Sequence, residues 1–241
     1  MPDSTPTQPS RSLLDAFQEM AAHVHASEDY EDTYRRITST AAHTITGCDA
    51  ASISTIEKGK PVTHGPTGAL ASDGDQVQYD EGEGPCLDAA MNERWVYTPD
   101  MAKTRRWPHS SKRLLNELGV QSMLSCRLSL DAAPHQTLGG INLYSRARDG
   151  FTDEDQMLAL LLSSLGAVVV DASRQQAHLR AAIESRQIIG EAIGILKSQG
   201  GISSEEAFDM LSKASQRMNV KLRDLAKQIT DGSRPAGQAR G

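Results

Sequence analysis

The sequence predicts an α+β domain built on an antiparallel sheet, followed by a helical connector and an all-α bundle of three helices. Three observations support this fold class. Strand-like segments follow one another without regular helices between them, which favours antiparallel pairing. The stretch from Asp153 to about Lys197 contains no proline and keeps helical periodicity. The net charge also differs between the two parts of the chain: residues 1–175 hold 15 basic and 24 acidic residues, whereas residues 176–241 hold 10 basic and 7 acidic residues. Such a difference suggests two units with different partners.

The composition indicates a globular chain with a substantial core. It has 241 residues, a formal net charge of −6 and 38% hydrophobic residues, which suits one or two domains. Aromatic residues make up only 4% of the chain, which disfavours an extended platform of aromatic side chains for stacking bases. Three cysteines are too few for a disulfide scaffold, and their odd number suits a reducing compartment.

The beginning of the sequence shows no export signal. Residues 1–12 are polar and contain prolines, where a secretory signal needs a basic start and an apolar stretch. The most apolar run, Met157–Val170, is shorter than the ~18 residues of a spanning helix and contains serine and glycine. We therefore expect a cytoplasmic protein with no membrane partner.

The N-terminal part alternates helical and strand-like patterns. Tyr34, Ile37, Ala41 and Ile45 fall on one face of a helix, and Gly47 follows as a stop signal. Runs of alternating β-branched residues predict strands. The predicted helices are Leu13–His25, Tyr34–Ile45, Cys86–Met91 and Ser110–Leu118, and the predicted strands are Ala51–Ile56, Pro61–His64, Trp95–Thr98, Gln121–Leu130 and Thr137–Ser145.

Three segments between these elements are predicted to be irregular. Gly65–Gly74 has the composition of a loop, Gln76–Pro85 is acidic and rich in glycine, and Asp131–Gln136 is a loop that contains proline. After them, Thr152 and Asp155 have the spacing of a capping arrangement at the start of a helix.

The helix that begins at Thr152 carries a repeating apolar stripe. It is predicted as one helix of roughly 45 residues or as two helices joined near Ala172–Gln176. The stripe is expected to pack against a second copy of the chain, or against the sheet of its own domain, and both can hold on opposite faces. Its members are Leu158, Leu161, Leu162, Leu165, Val168, Val169, Leu179, Ile183, Ile188 and Ala192.

Residues 177–231 read as three helices. The first is predicted to end at Gly200-Gly201, and Ser203 with Glu206 forms a capping box for the second. Asn219 is predicted to cap the third. The second helix is predicted to bury Ala207, Phe208, Leu211, Ala214, Ser215 and Met218, and the third Leu222, Leu225, Ala226 and Ile229.

The segments Glu184–Leu196, Gly201–Leu211 and Ala214–Ala226 together resemble the ANTAR domain family. Members of that family are bacterial RNA-binding transcription antiterminators. The resemblance implies that dimers bind paired stem-loops in nascent leader RNA, which keeps the terminator hairpin from forming. Gly190 and Gly194, four residues apart, provide a seam of small residues where another helix can approach.

The upstream region is similar to the GAF domains that are commonly fused to ANTAR domains in actinobacteria. The segments that carry this resemblance are Gln78–Ala89, Arg106–Pro108, Leu118–Val120 and Leu138–Ser145. The resemblance implies a sensor of a small ligand or a redox signal. The expected organisation is a disordered N-terminus (1–11), a GAF-like sensor domain (12–172), an ANTAR RNA-binding domain (173–231) and a flexible tail (232–241).

Short polar and basic residues near the last two helices are candidates for RNA contact. The basic members are expected to neutralise phosphates, and the polar members to reach loop bases or to serve the fold as a small packing residue and a cap. The candidates are Lys213, Ser215, Gln216, Arg217, Asn219, Lys221, Arg223 and Lys227. Many family members have lysine where this chain has Ile193. If that lysine contacts RNA in them, we expect Lys197 or Arg186 to compensate here; the alternative is that Ile193 joins a dimer seam.

The sensor ligand and any cofactor cannot be identified from the sequence. The chain lacks a phosphate-binding glycine loop, and its histidines lack metal-ligand spacing. Cys86 and Cys126 are candidate redox or pocket thiols, or buried structural thiols. We predict no catalytic residue and no enzyme activity. The alternatives are a dimerisation or docking module without RNA binding, and a GAF-type free methionine sulfoxide reductase, which needs two neighbouring thiols.

Overall fold

The computed structural model describes residues 30–91, 93–130 and 137–232. The predicted helix Leu13–His25, the disordered N-terminus, the loop Asp131–Gln136 and tail residues 233–241 lie outside these ranges. The chain divides into two compact units, residues 1–175 and residues 176–241.

The first unit is built on a five-stranded antiparallel sheet with the order β2-β1-β5-β4-β3. Central pairs such as Ile53–Ile141 and Leu124–Leu143 set the register. Every neighbouring pair in this sheet is antiparallel, as the sequence predicted. The strands are β1 (Ala50–Glu57), β2 (Lys60–His64), β3 (Trp95–Thr98), β4 (Ser122–Ser129) and β5 (Thr137–Ser145).

Helices cover both faces of the sheet. On one face, α1 (Tyr30–Thr44) and the start of α5 (Asp153–Gly200) bury Ile37 and Leu162 against Leu128. On the other face lie α2 (Ala69–Glu81), α3 (Pro85–Met91) and α4 (Ser110–Leu118). Their buried residues pack with Met123 of β4 and Tyr144 of β5. Because successive residues of a strand point to opposite faces, Met123 and Leu124 belong to different cores.

The prediction of an irregular segment over Gly65–Gly74 and Gln76–Pro85 is wrong, because most of it forms α2. The helix buries Ala71, Val77 and Gln78. Gly74 is helical and brings α2 close to β5, since a Cβ added there would lie 2.6 Å from Tyr144 Cε1. Glycine therefore serves helix–sheet packing here, whereas the sequence reading took it as a loop signal.

Helix α5 is a single helix of 48 residues, which settles the choice between one helix and two. The predicted cap is present: Asp155 N–H donates to Thr152 Oγ1 at 3.2 Å, and Thr152 N–H donates to Asp155 Oδ2 at 3.0 Å. Among the described helices, α5 alone is long and apolar enough to cross a membrane by length and composition. Burial of its apolar residues against the sheet accounts for that composition, because the core helix of a globular unit passes the same test.

The second unit contains the C-terminal part of α5 with α6 (Ser204–Met218) and α7 (Leu222–Gly232). Its core is small: Ala192, Leu211, Leu225 and Ala226 are buried. Partly buried residues packed around them are Ile188, Ile189, Leu196, Ala214, Leu222 and Ile229. The predicted capping box is present, with Glu206 N–H donating to Ser203 Oγ at 3.2 Å and Ser203 N–H donating to Glu206 Oε2 at 2.8 Å.

Two predictions about the core of this unit are wrong. Phe208 is 47% exposed and Met218 is 55% exposed, whereas Leu211 is only 2% exposed. Helix α6 buries a narrow face around Ala207 and Leu211, and the next residue, Phe208, points about 100° away from Ala207 around the helix axis.

Asn219 does not cap the third helix as predicted. It ends α6 in the left-handed conformation with φ 52°, and its N–H donates to Gln216 O and Ser215 O. Asparagine tolerates this conformation better than most residues, which suits it to a helix C-terminus. The start of α7 is set instead by Lys221 O, which accepts from the N–H groups of Asp224 and Leu225.

Candidate functional site

The junction between α6 and α7 holds the three short polar residues predicted to contact RNA. Ser215 is half-buried and its Oγ donates to Val220 O at 2.6 Å, which ties α6 to the start of the loop. Asn219 occupies the left-handed turn, and Gln216 is exposed beside it. Ser215 and Asn219 therefore have structural roles, and the Gln216 and Asn219 side chains lie on the surface of the junction.

Two of the five predicted phosphate-binding cations are held in ion pairs. Lys213 pairs with Asp209 at 2.6 Å, one turn away on α6. Arg223 pairs with Glu184 of α5 at 3.0 Å. Exposed pairs of this kind contribute about 0–1 kcal/mol. Both cations can therefore exchange their carboxylate for a phosphate at little cost.

The other three cations, Arg217, Lys221 and Lys227, are exposed and form no ion pair with any described residue. Arg217 lies in the last turn of α6, one turn after Lys213. Lys221 follows in the loop, and Lys227 lies on α7. None of them belongs to the buried face that holds Leu211 and Leu225. We call the surface formed by these three cations, Gln216 and Asn219 the junction surface. It presents positive charge without ion-pair partners among the described residues, together with two side-chain amide groups.

The first helix of the second unit has a bare face opposite its core. A Cβ added at Gly190 or Gly194 would meet nothing within 4 Å, so the predicted seam of small residues is not used by the described chain. Ile193 is half-buried, and Arg186 and Lys197 are exposed. Leu179 and Ile183 are exposed at the positions 11 residues before Gly190 and Gly194.

Eleven residues make about three helical turns, so Leu179 and Gly190, and likewise Ile183 and Gly194, lie on the same side of α5. We call these four residues, which all belong to the second unit, the α5 stripe. In the part of α5 that belongs to the first unit, Met157, Leu161 and Val168 are also exposed.

The first unit contains a buried polar cluster on the face covered by α2. The carboxylate of Asp75 accepts hydrogen bonds from Tyr144 Oη at 2.5 Å, from Asn142 Nδ2 at 2.9 Å and from Thr63 Oγ1 at 2.8 Å. Burial raises the pKa of Asp75 to about 6 from 3.8, against the lowering effect of these bonds. Gln78 extends the cluster by donating to Tyr144 Oη at 3.1 Å.

This cluster was not predicted from the sequence. Asp75 falls in the segment taken as a loop, so its burial was not foreseen. One signal was available: Asn142 interrupts an otherwise apolar strand between Ile141 and Leu143, and a polar residue in a buried strand needs partners. Asn142 Nδ2 also donates to Ser54 Oγ at 2.8 Å.

Two motifs, the acidic and glycine-rich segment Gln78–Ala89 and the segment Arg106–Pro108, fix the positions of α3 and α4 on the sheet. Glu83 Oε1 accepts from the N–H groups of His109 and Ser110, at 2.7 and 3.1 Å, and thereby caps α4. Trp107 Nε1 donates to Asp88 Oδ2 at 2.8 Å, and Arg106 pairs with the same oxygen at 2.6 Å. The acidic residues of this segment therefore act as caps and ion-pair partners.

The candidate thiols are buried and separated by the sheet. Cys86 packs with the residues under α2 to α4, whereas Cys126 packs with those under α1 and α5. Burial raises the pKa of Cys126 to about 12 and that of Cys86 well above its usual value. Cys48 packs against the same core as Cys126, and burial raises its pKa to about 12. All three cysteines are free. No group of three or more metal-ligating side chains occurs in the described ranges.

Comparisons with known proteins agree with this architecture. The model of the GAF domain matches residues 27–171, and the chain therefore belongs to the GAF domain family. The model of the ANTAR domain matches residues 177–229. The chain thus has the two domains of a sensor-regulated, RNA-binding regulator of transcription antitermination.

Solved structures similar to this chain share its fold at low identity. The GAF domain of a phosphoenolpyruvate-protein phosphotransferase from Coxiella burnetii is 17% identical with a TM-score of 0.53, over 69% of this chain and 97% of that one. The corresponding domain from Acinetobacter is 14% identical with a TM-score of 0.51, over 69% and 97%. The free methionine-R-sulfoxide reductase from Neisseria meningitidis is 14% identical with a TM-score of 0.52, over 73% and 99%. The search of curated proteins gave no match.

Proposed function

We propose that this protein binds paired stem-loops in nascent leader RNA through the junction surface and thereby keeps a terminator hairpin from forming. The observation that carries the proposal is the exposed, unpaired positive charge of Arg217, Lys221 and Lys227 beside a helix junction within the ANTAR domain. Cations of this kind neutralise phosphates. Gln216 and Asn219 are exposed beside these cations and offer amide groups that can form hydrogen bonds with unpaired loop bases.

We infer that the functional form is a homodimer joined along the α5 stripe. Two stem-loops need two RNA-binding domains, and the stripe exposes apolar and small residues on one side of one helix. Such a face gains free energy when a second helix covers it, at about 25 cal/mol for each Å² of apolar surface buried. In this proposal Ile193 and the two glycines lie at or near the dimer seam, while Lys197 and Arg186 flank it.

Control is proposed to come from a small ligand of the GAF domain. The cluster around Asp75 offers buried hydrogen-bonding groups on the face of the sheet opposite α5. Helix α1 is linked to α5 by a hydrogen bond in which Arg174 donates to Tyr34 Oη at 2.6 Å. A ligand that shifts the sheet or α1 would change the α5 stripe. A redox signal is less well supported, because raised pKa values leave Cys86 and Cys126 as unreactive thiols.

The same thiols argue against an enzyme. Reduction of methionine sulfoxide by two cysteines needs both sulfurs close enough to form a disulfide. Here the sheet lies between Cys86 and Cys126, and Cys48, which packs against the same core as Cys126, has a pKa that burial raises to about 12, so it is protonated at neutral pH. We therefore propose a non-catalytic regulator, which as an RNA-binding protein of transcription works in the cytoplasm.

The proposal is tested by RNA-binding titrations. The probe carries two tandem stem-loops, and a second RNA has the same stems with scrambled loops. The change is Arg217→Ala with Lys221→Ala, and the matched control is Lys58→Ala with Lys60→Ala at the exposed β1–β2 turn. Each lost phosphate contact should reduce the slope of log affinity against log salt by about 0.7–0.9.

We expect loop-dependent binding that weakens tenfold or more in the first variant, with a salt slope smaller by about 1.5, and no change in the control. Equal weak binding to both RNAs, or equal RNA affinity of both variants, would contradict the proposal and favour a dimerisation or docking module. Dimerisation is tested separately by sedimentation of Leu179→Glu/Ile183→Glu against Ala181→Glu/Ala182→Glu, which adds the same charge off the stripe. If the Leu179→Glu/Ile183→Glu variant still sediments as a dimer, the α5 stripe is not the dimer interface.

A further inference from the structure

Helix α6 ends in an exposed methionine beside the junction surface. Met218 is the last residue of the helix, and its side chain is 55% exposed. It follows the buried Leu211 by seven residues, which make about two helical turns, so both lie on the side of α6 that faces the core. Ala214 is the last residue of α6 that packs in that core. The apolar side of α6 therefore continues past the end of the core and reaches the surface.

The surroundings of Met218 are positively charged and polar. Arg217 precedes it and Asn219 follows it, and both belong to the junction surface. The sequence between Asp209 and Asp224 contains four basic residues and no acidic residue. Met218 thus places an apolar side chain among groups that carry positive charge or amides.

The charge around Met218 favours RNA over a second copy of the chain as the partner that covers it. In a two-fold symmetric dimer, a surface that packs against itself brings each residue close to its own equivalent. Here that packing would bring cations together, which is unfavourable. RNA instead brings phosphates to the cations.

The chemistry of methionine also suits an unpaired base. Its sulfur forms favourable contacts with aromatic rings, and its flexible side chain adapts to partners of different shape. Every base presents a π face, and bases in loops are free to present it to a protein side chain. Bases inside a stem are stacked on each other, so their faces are covered.

We propose that Met218 contacts the face of an unpaired loop base when RNA binds to the junction surface. This inference rests on the proposed function and adds a residue that recognises bases to the cations that bind phosphates. The amides of Gln216 and Asn219 can bond to base edges beside it. Because all bases have a π face, Met218 selects unpaired loops over stems without selecting one base.

The proposal is tested by oxidising the full chain with hydrogen peroxide, with and without saturating RNA that carries two tandem stem-loops. Peroxide converts exposed methionine to its sulfoxide, and mass spectrometry measures the conversion at each residue. Met210 is the matched control, because it lies eight residues earlier on α6, is 54% exposed and is not part of the junction surface.

We expect RNA to slow the oxidation of Met218 by about fivefold or more and to leave that of Met210 unchanged, since a covered sulfur is protected from the oxidant. Equal oxidation of Met218 with and without RNA, or equal protection of both methionines, overturns the proposal. Protection of Met218 that appears without RNA as the protein concentration rises also overturns it, because a second copy then covers the side chain.

A binding titration separates base contact from phosphate contact. Met218→Ala should bind the tandem stem-loop RNA about threefold to tenfold more weakly, because the contact between sulfur and ring is lost. The salt slope should stay the same, because no phosphate contact is lost. Met210→Ala should bind as the parent does. On an RNA whose loop nucleotides lack bases, Met218→Ala and the parent should bind equally.

Failure of this inference can be distinguished from failure of the proposed function. If the parent binds the tandem RNA and Arg217→Ala/Lys221→Ala weakens that binding, but Met218→Ala binds as the parent does, the proposed function stands and the base contact is overturned. If the parent does not bind the tandem RNA, both are overturned. The oxidation experiment uses the unaltered chain, so it stays valid if Met218→Ala fails to fold.

Discussion

Replacing the buried Asp75 with asparagine isolates the free energy linked to its ionisation. Burial raises the pKa of Asp75 from 3.8 to about 6. A folded-state pKa above the unfolded one means that the folded protein holds the proton more tightly. This contribution to stability is therefore complete below about pH 4 and is lost as the pH rises through about 6.

The magnitude follows from the shift. About two pKa units at ~1.4 kcal/mol each correspond to a loss of about 3 kcal/mol in the free energy of unfolding across that window. Asparagine keeps the oxygen that accepts from Tyr144 and Asn142. Its amide can donate to Thr63, whose hydroxyl can then turn to Tyr79 at 3.0 Å. The substitution therefore removes the charge, keeps the bonds from Tyr144 and Asn142, and gives one of the two new amide N–H groups an acceptor in Thr63. Any cost of the second N–H group does not depend on pH, so it does not alter the shape of the pH profile.

The assay is urea unfolding followed by tryptophan fluorescence from pH 4 to pH 8, since Trp95 and Trp107 both lie in the first unit. Asp73→Asn, on an exposed position of the same helix, is the control. We expect the stability of Asp75→Asn relative to the parent to rise by about 3 kcal/mol between pH 4 and pH 7. Parallel pH profiles for the parent and Asp75→Asn would refute the reasoning, because other carboxylates cancel in the difference.

Three further predictions concern packing and reactivity. Leu211→Ala should cost about 2–5 kcal/mol in thermal or urea unfolding of the second unit, whereas Phe208→Ala should cost less than half as much because Phe208 is 47% exposed; equal losses would show that Phe208 is a core residue. Cys86 and Cys126 should resist iodoacetamide at neutral pH until the chain is unfolded, since burial raises both pKa values; fast labelling by mass spectrometry would contradict this. Gly139→Ala should disrupt the β1–β5 pairing, because its φ is 135° and an added Cβ would lie 2.2 Å from Ser54 O; an unchanged melting temperature would exclude that clash.

Residues that act through local rules were predictable from the sequence. Strand alternation gave β3 and β5 their observed bounds, and Gly119 marked the end of α4. The Ser203–Glu206 box needed only residues three apart. The antiparallel sheet, the long helix and the basic C-terminal unit follow from periodicity and composition, because those signals depend on neighbours along the chain.

The tertiary structure alone decided which residues meet across the fold. Helix α2 was not predicted because glycine is typical of loops, and only the packing of Tyr144 beside Gly74 explains why a helix has glycine at this position. Asp75 became a buried carboxylate only when β5 brought Asn142 and Tyr144 to it. Cys86 and Cys126 were separated because helix α3 carries Cys86 on one face of the sheet, whereas Cys126 points from β4 into the core on the other face. Burial and charge pairing are properties of contacts distant in sequence, and one sequence read along its length does not contain them.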